Sequence, residues 1–313
     1  MVIASSAFNN SDSDVHFVKK IYTKFVRHLK YQPLQPIADD NVSYQALQTE
    51  FAQYNTGAWF DALCRESASM AELSYSGHSD EVRIQIARYT WFLIYVDDLG
   101  QKFPDRLLNF QKALMTENTS PEGHFLKSLR QHLSEYYRMF DPIPANCINL
   151  SAMDFINGCL LEQMPKIQEM PLSEAGLSWP YFLRNKTGSA QSYSFMIFPK
   201  ETGVDMTAYI QVLEDLTLYT NLTNDILSFY KEYLAGERNN YVYNRAYVSG
   251  KPVYEALQDV VNDTLKAHDR ITKALEFSGN EKALACWRCY VNGYLGFHFT
   301  LKRYRLDELD RLE

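Results

Sequence analysis

Asn224, Ser228 and Glu232 stand at four-residue intervals in the run Asn-Asp-Ile-Leu-Ser-Phe-Tyr-Lys-Glu over 224–232. On a helix of about 3.6 residues per turn these side chains share one face, drifting by about 40° per step. An amide carbonyl, a hydroxyl and a carboxylate are hard oxygen ligands of the kind Mg²⁺ accepts. Lys231, beside the last of them, offers an ammonium to an anion held by such a metal. The alternative is a polar stripe on a solvated helix. The preceding residues from Leu213 to Thr223 are largely uncharged and rich in buried types. Recurrent polar groups inside such a stretch cost stability unless something binds them.

A second acidic feature lies earlier in the chain. The apolar run Tyr-Thr-Trp-Phe-Leu-Ile-Tyr-Val over 89–96 ends in Asp97-Asp98. Two carboxylates there suit the end of a buried helix and a cavity. They also suit a helix that turns to solvent at Leu99-Gly100. An aspartate pair followed much later by the Asn/Ser/Glu triplet is far more specific than either alone.

Together these motifs resemble the aspartate-rich and second metal motifs of class I terpene cyclases. The 224–232 string is especially similar to that of the fungal trichodiene synthase family. Arg303-Tyr304 resembles that family's diphosphate-contacting Arg-Tyr pair. Arg184, followed by Thr187 and Gly188, is similar to its diphosphate-sensing arginine with the linker and effector positions. One departure stands out: Leu99-Gly100-Gln101-Lys102 follows the aspartate pair, where relatives usually carry a further acidic residue.

The resemblance implies three Mg²⁺ ions, a linear isoprenyl diphosphate (farnesyl diphosphate in this group), ionisation, cyclisation, and final proton loss or water capture. It implies metal contacts from Asp97 on one wall and from Asn224, Ser228 and Glu232 on the other. Diphosphate contacts would come from Arg184, Lys231, Arg303 and Tyr304, with Asp98 pairing with Arg303 on closure. Such a site suits a diphosphate, because oxygen anions are bridged by metal and clamped by guanidinium forks. Helical spacing puts Thr90, Leu93 and Ile94 before Asp97, Thr220 and Asn221 before Asn224, and Phe297 two turns before Tyr304. If Phe297 and Tyr304 share one continuous helix, the Phe297 ring lies about 10 Å deeper on the same face. Leu93, Ile94 and Phe297 are therefore candidate pocket-lining residues.

Three other functions are disfavoured by the same residues. A chain-elongating isoprenyl diphosphate synthase needs a second aspartate-rich motif where this chain has Asn224 and Ser228. A non-catalytic helical binding protein would be expected to lack some ligand or clamp residue, and all are present. The Asp-x-Asp-Asp acid motif of protonation-initiated cyclases is absent.

The 313 residues are 46% hydrophobic and 14% aromatic, ample for one large core. The formal net charge of −7, with no Lys/Arg cluster, argues against nucleic-acid binding. Five scattered cysteines suit a reduced, cytoplasmic protein, and Cys286-x-x-Cys289 lacks the second pair a zinc site needs. No signal-like start or membrane-spanning apolar run is evident. A homodimer is a family expectation only.

The elements that must position these groups read as helices. They span about 14–30, 43–75 (broken near 55–57), 79–99, 104–116, 121–138, 147–164, 177–198, 204–235 and 251–305, the last broken near 278–280. Alternating β-branched runs between tight turns are missing. The expected fold is all-α, a single helical domain over 13–313 with long helices around a central cavity and an unstructured start at 1–12. Gly236 ends the metal-motif helix. Glu237–Asn240 then forms either a solvated connection or a lid that orders on binding.

Overall fold

Helix signals dominate the chain, and the computed structural model, which describes residues 12–116 and 124–310, contains no strand among them. The helices are α1 (Asp12–His28), α2 (Val42–Glu50), α3 (Ala58–Ser74), α4 (Asp80–Leu99) and α5 (Pro104–Thr116). They continue with α6 (His124–Met139), α7 (Pro142–Gln163), α8 (Pro165–Gln168), α9 (Trp179–Thr187) and α10 (Ala190–Met196). The last five are α11 (Leu213–Ala235), α12 (Tyr241–Ser249), α13 (Val253–Phe277), α14 (Glu281–Thr300) and α15 (Asp307–Asp310). Short 3₁₀ turns join several of them. The expected unstructured start falls outside the described residues except at Asp12, where α1 begins.

The described residues group into two compact units, each collecting segments distant in sequence. The first gathers the chain up to Pro36, Pro171–Asn185 and the chain from Thr207 onward. In it α11 packs on α13, which also carries α12, α14 and α1. Fourteen of the 23 residues of α11 are buried, so this helix is enclosed on nearly every side. Gly236 closes it in the left-handed region at φ 77°, with its N–H and that of Glu237 returning to the carbonyls of Tyr233 and Glu232. The second unit, Ile37–Met170 with Lys186–Met206, centres on α4, which packs on α2, α3, α6 and α7. Ser79 caps α4 by accepting from the Val82 N–H, and Asp80 and Glu81 complement the dipole of its first turn.

Two sequence expectations are corrected. The 177–198 segment is two helices, because Gly188 and Ser189 interrupt it and Ser189 adopts φ 46°. That left-handed serine is held by its hydroxyl, which meets Tyr89 at 2.6 Å and Ser151 at 3.3 Å. The last helix does not run through Tyr304. α14 stops at Thr300, Leu301 is extended, and Lys302–Tyr304 form a 3₁₀ turn ended by Arg305 at φ 57°. The break near Ser278–Asn280 falls where expected, between α13 and α14.

Beside α4 in the second unit lies a fully buried imidazole. Burial pushes His132 down to about 3, with the Arg88 charge acting in the same direction. Its folded value lies below the unfolded one, so the stability this neutral ring contributes is present above about pH 6.5 and is lost as pH falls towards 3. Denaturant melts between pH 7 and pH 5 should therefore show a stability slope that His132→Leu reduces by about 1 kcal/mol per pH unit on average, approaching one proton's worth, about 1.4, towards pH 5. An unchanged slope in that variant would show that the ring is already protonated or exposed.

Candidate active site

In the first unit the metal-motif residues lie on α11 as their spacing requires. Ser228 is 2% exposed, and among the described residues its hydroxyl has no hydrogen-bond partner. Such a group costs on the order of 1–3 kcal/mol if left unsatisfied. Asn224 precedes it by one turn and Glu232 follows by one. An orphaned hydroxyl between an amide and a carboxylate on one helix face fits an octahedral oxygen-preferring cation, and Mg²⁺ is the ion this donor set suits.

The two outer donors are held by neighbours. Arg184 Nη2 donates to Asn224 Oδ1 at 3.1 Å, and Asn224 Nδ2 lies 3.2 Å from His298 Nε2. Glu232 accepts from Lys231 Nζ at 3.2 Å and from Asn240 Nδ2 at 2.9 Å. The 237–240 segment is thus tied to a candidate ligand, and Arg238 lies over the rings of Tyr233 and Tyr243. From α1, the buried Tyr22 hydroxyl donates to the Ile226 carbonyl and accepts from the Tyr230 N–H at 3.2 Å, bracketing Ser228 on its own helix.

Arg184 is the electrostatic centre of this half. Its Nε donates to Asp225 Oδ1 at 2.6 Å and its Nη2 to the Asn221 carbonyl at 3.0 Å. Burial alone would lower the guanidinium's affinity for its proton, but Asp225 beside it turns the net shift upward. Burial likewise pushes the Asp225 carboxyl up to about 6 against the pull of Arg184. His298 is fully buried, which drives its imidazole down to about 3, and the charges of Arg303 and Lys231 add to that.

Tyr304 is buried, with the Arg303 guanidinium 5.5 Å from its ring centre. The Phe297 ring sits 5.8 Å from that of Tyr304 and stacks on Tyr294 at 6.2 Å. Phe297 is therefore a direct neighbour of Tyr304 rather than 10 Å deeper, because the chain turns back after Thr300.

In the second unit the run from Tyr89 to Leu93 and Val96 are buried, whereas Asp97 and Asp98 at the end of α4 are both exposed. Of the two readings of this pair, a cavity or a helix end turning to solvent at Leu99-Gly100, the exposure fits the second. The change occurs at the last turn, where the apolar run ends and Leu99-Gly100 lead into a 3₁₀ turn. Asp98 Oδ2 accepts from Trp59 Nε1 at 2.9 Å. Asp97 Oδ1 receives a long S–H contact of 4.0 Å from Cys159, whose thiol is kept protonated by burial. Leu93 is buried and Ile94 half-buried, and the Thr90 hydroxyl bonds to its own helix and to Tyr193 at 3.0 Å.

Asp225, His298, Asn240 and Trp59 are partners that sequence spacing did not single out. Asp225 alone had a signal: a charged residue inside an otherwise apolar helix needs a counter-charge. Neither Cys286 nor Cys289 is part of a disulfide. The three-residue metal-capable group found among the described residues, His28, His268 and Asp269, is a partly exposed cluster in which one carboxylate oxygen meets both rings at 3.3 Å.

The helical fold and the spacing on α11 define a class I terpene synthase architecture. The profile of the trichodiene synthase (TRI5) family matches residues 44–312. The chain belongs to that family. It is 32% identical over 291 residues to terpene synthase BipA of Cochliobolus sativus, covering 91% of this chain and 88% of that one. Longiborneol synthase CLM1 of Gibberella zeae is 32% identical over 238 residues, 74% and 68% of the two chains. Among solved structures, the linalool/nerolidol synthase of Streptomyces clavuligerus superposes with a TM-score of 0.65 at 11% identity, covering 85% of this chain and 98% of that chain. That likeness concerns the fold.

Proposed function

We propose that this chain is a Mg²⁺-dependent cyclase that converts farnesyl diphosphate to a cyclic sesquiterpene and releases diphosphate. The observation that carries the reading is the buried, partnerless Ser228 hydroxyl, one turn from Asn224 and one turn from Glu232, in a member of a terpene synthase family. The family's named relatives, longiborneol synthase among them, support the reaction class. When bound, Mg²⁺ supplies charge neutralisation for the leaving diphosphate. Asn224, Ser228 and Glu232 on α11 would hold it, and Asp97 at the end of α4 is a further candidate ligand by the family resemblance.

The chain's own groups do the rest. Lys231, Arg303 and Arg184 would donate to diphosphate oxygens, and the Tyr304 hydroxyl would add a neutral donor. Arg184 must exchange Asp225 and Asn224 for the ligand to do so. Aromatic rings such as Phe297 and Tyr294 present π faces that stabilise a cation where water is kept out.

Incubation with geranyl, farnesyl and geranylgeranyl diphosphates, read by gas chromatography–mass spectrometry, tests the reading. A cyclic product from farnesyl diphosphate that disappears with EDTA is expected. Undiminished turnover in EDTA, or longer chains from added isopentenyl diphosphate, would overturn it.

Phe297 provides a second prediction. Competing cyclisation branches need differ by only about 1.4 kcal/mol to change a product ratio tenfold, and a ring facing a cation is worth about that much. Phe297→Leu should keep metal-dependent turnover and shift the product mixture. An unchanged mixture in a folded variant would assign the ring to packing against Tyr294 and Tyr304.

A further inference from the structure

We infer that His298 is a positioning residue that fixes which end of the Asn224 amide faces the metal. The inference rests on the reading of Asn224 as a Mg²⁺ ligand. An asparagine amide has an oxygen that can ligate a cation and an NH₂ that cannot, and the two ends have nearly the same shape. A metal site built on asparagine therefore needs something to forbid the flipped amide.

Four groups form a chain whose polarity is determined at both ends. At one end, His298 Nδ1 lies 2.7 Å from the Tyr294 carbonyl oxygen, which only accepts, so Nδ1 carries a proton. At the other end, Arg184 Nη2 lies 3.1 Å from Asn224 Oδ1, and a guanidinium only donates. The amide oxygen thus faces Arg184 and the NH₂ faces His298 Nε2 at 3.2 Å. Nε2 must then be the bare, accepting nitrogen, which is what the proton on Nδ1 requires of a neutral ring. The ends were fixed independently, and they agree in the middle.

The ring itself has little freedom. His298 has no exposed surface, and its ring is packed among those of Tyr294, Phe297 and Tyr304 at centroid distances of 4.7, 5.0 and 4.6 Å. Its role becomes decisive during turnover. In the structure Arg184 and His298 both enforce the amide orientation. When Arg184 turns to the diphosphate, His298 alone retains it. Outer-shell partners of this kind are worth about 10–100-fold in metal affinity.

The isosteric amides separate this role from packing. The terminal atoms of glutamine reach the position of Nε2, whereas those of asparagine reach only that of Nδ1. Mn²⁺ binding in the presence of inorganic diphosphate, followed by electron paramagnetic resonance without substrate, gives a readout that does not depend on turnover. His298→Asn should weaken Mn²⁺ binding by about tenfold or more, and His298→Gln should stay within about threefold of the unaltered protein. Asn224→Ala is the reference. If Asn224→Ala leaves Mn²⁺ binding intact, Asn224 is not a ligand and the inference falls with the functional reading. If Asn224→Ala weakens binding while the two His298 variants behave alike, only the inference falls.

A second measurement needs no folded variant. Nitrogen-15 NMR of histidine-labelled protein should show one buried ring in the Nδ1–H tautomer, with an unprotonated Nε2. Finding only Nε2–H tautomers among the buried rings would break the chain at its centre.

Discussion

Asp97→Ala is expected to lower turnover of farnesyl diphosphate by about a thousandfold, a loss of about 4 kcal/mol of transition-state stabilisation. Asp98→Ala is expected to cost about tenfold, roughly 1.4 kcal/mol. The difference comes from what each carboxylate is doing. Asp98 is engaged by the Trp59 indole N–H at 2.9 Å. Asp97 Oδ1 receives an S–H contact from Cys159 at 4.0 Å, and by resemblance to the family Asp97 is the carboxylate of the pair that would bind the metal directly. Steady-state kinetics of both variants at saturating Mg²⁺ decide the matter. If Asp98→Ala were the more damaging, the direct ligand would be Asp98 and Trp59 would be its orienting partner.

The metal helix was legible because its information is local. Three oxygen donors at four-residue intervals, followed by Gly236, specify a face and an end without reference to the rest of the chain. The end of α14 was not. Phe-His-Phe-Thr-Leu-Lys-Arg-Tyr-Arg over 297–305 contains no glycine, proline or asparagine, so nothing local announces the stop at Thr300. The turn is fixed by tertiary contacts, with Tyr304 and Leu306 buried, and with a non-glycine residue, Arg305, in the left-handed region whose guanidinium forks onto Glu308. The partners of the site were hidden for the same reason. His298 meets Asn224 across 74 residues of sequence and Trp59 meets Asp98 across 39, separations that periodicity does not encode. Gly188 did signal the break between α9 and α10, yet the apolar residues on either side read as one helix.

Arg184→Leu should damage stability and catalysis together, and a second substitution should separate them. The guanidinium is bonded to Asp225, the Asn221 carbonyl and Asn224 at once, and both charged side chains are largely buried. Removing it leaves the Asp225 carboxyl in a low-dielectric setting that already raises its proton affinity, so unfolding free energy should fall by about 3–5 kcal/mol. Asp225→Leu should cost a similar amount by stranding the cation. The double variant Arg184→Leu/Asp225→Leu strands neither, so its stability should recover most of either single loss, in a strongly non-additive cycle. Activity should not recover with it. The proposed role of Arg184 is to leave Asp225 and donate to the diphosphate, and leucine supplies no donor, so the double variant should remain at least about a hundredfold below the unaltered enzyme. Arg184→Lys should fall between, because a single ammonium cannot reproduce the planar fork that reaches three acceptors. Additive stability losses would show that the two charges do not depend on each other. Restored turnover in the double variant would show that Arg184 serves only to neutralise Asp225, and would remove it from the diphosphate site.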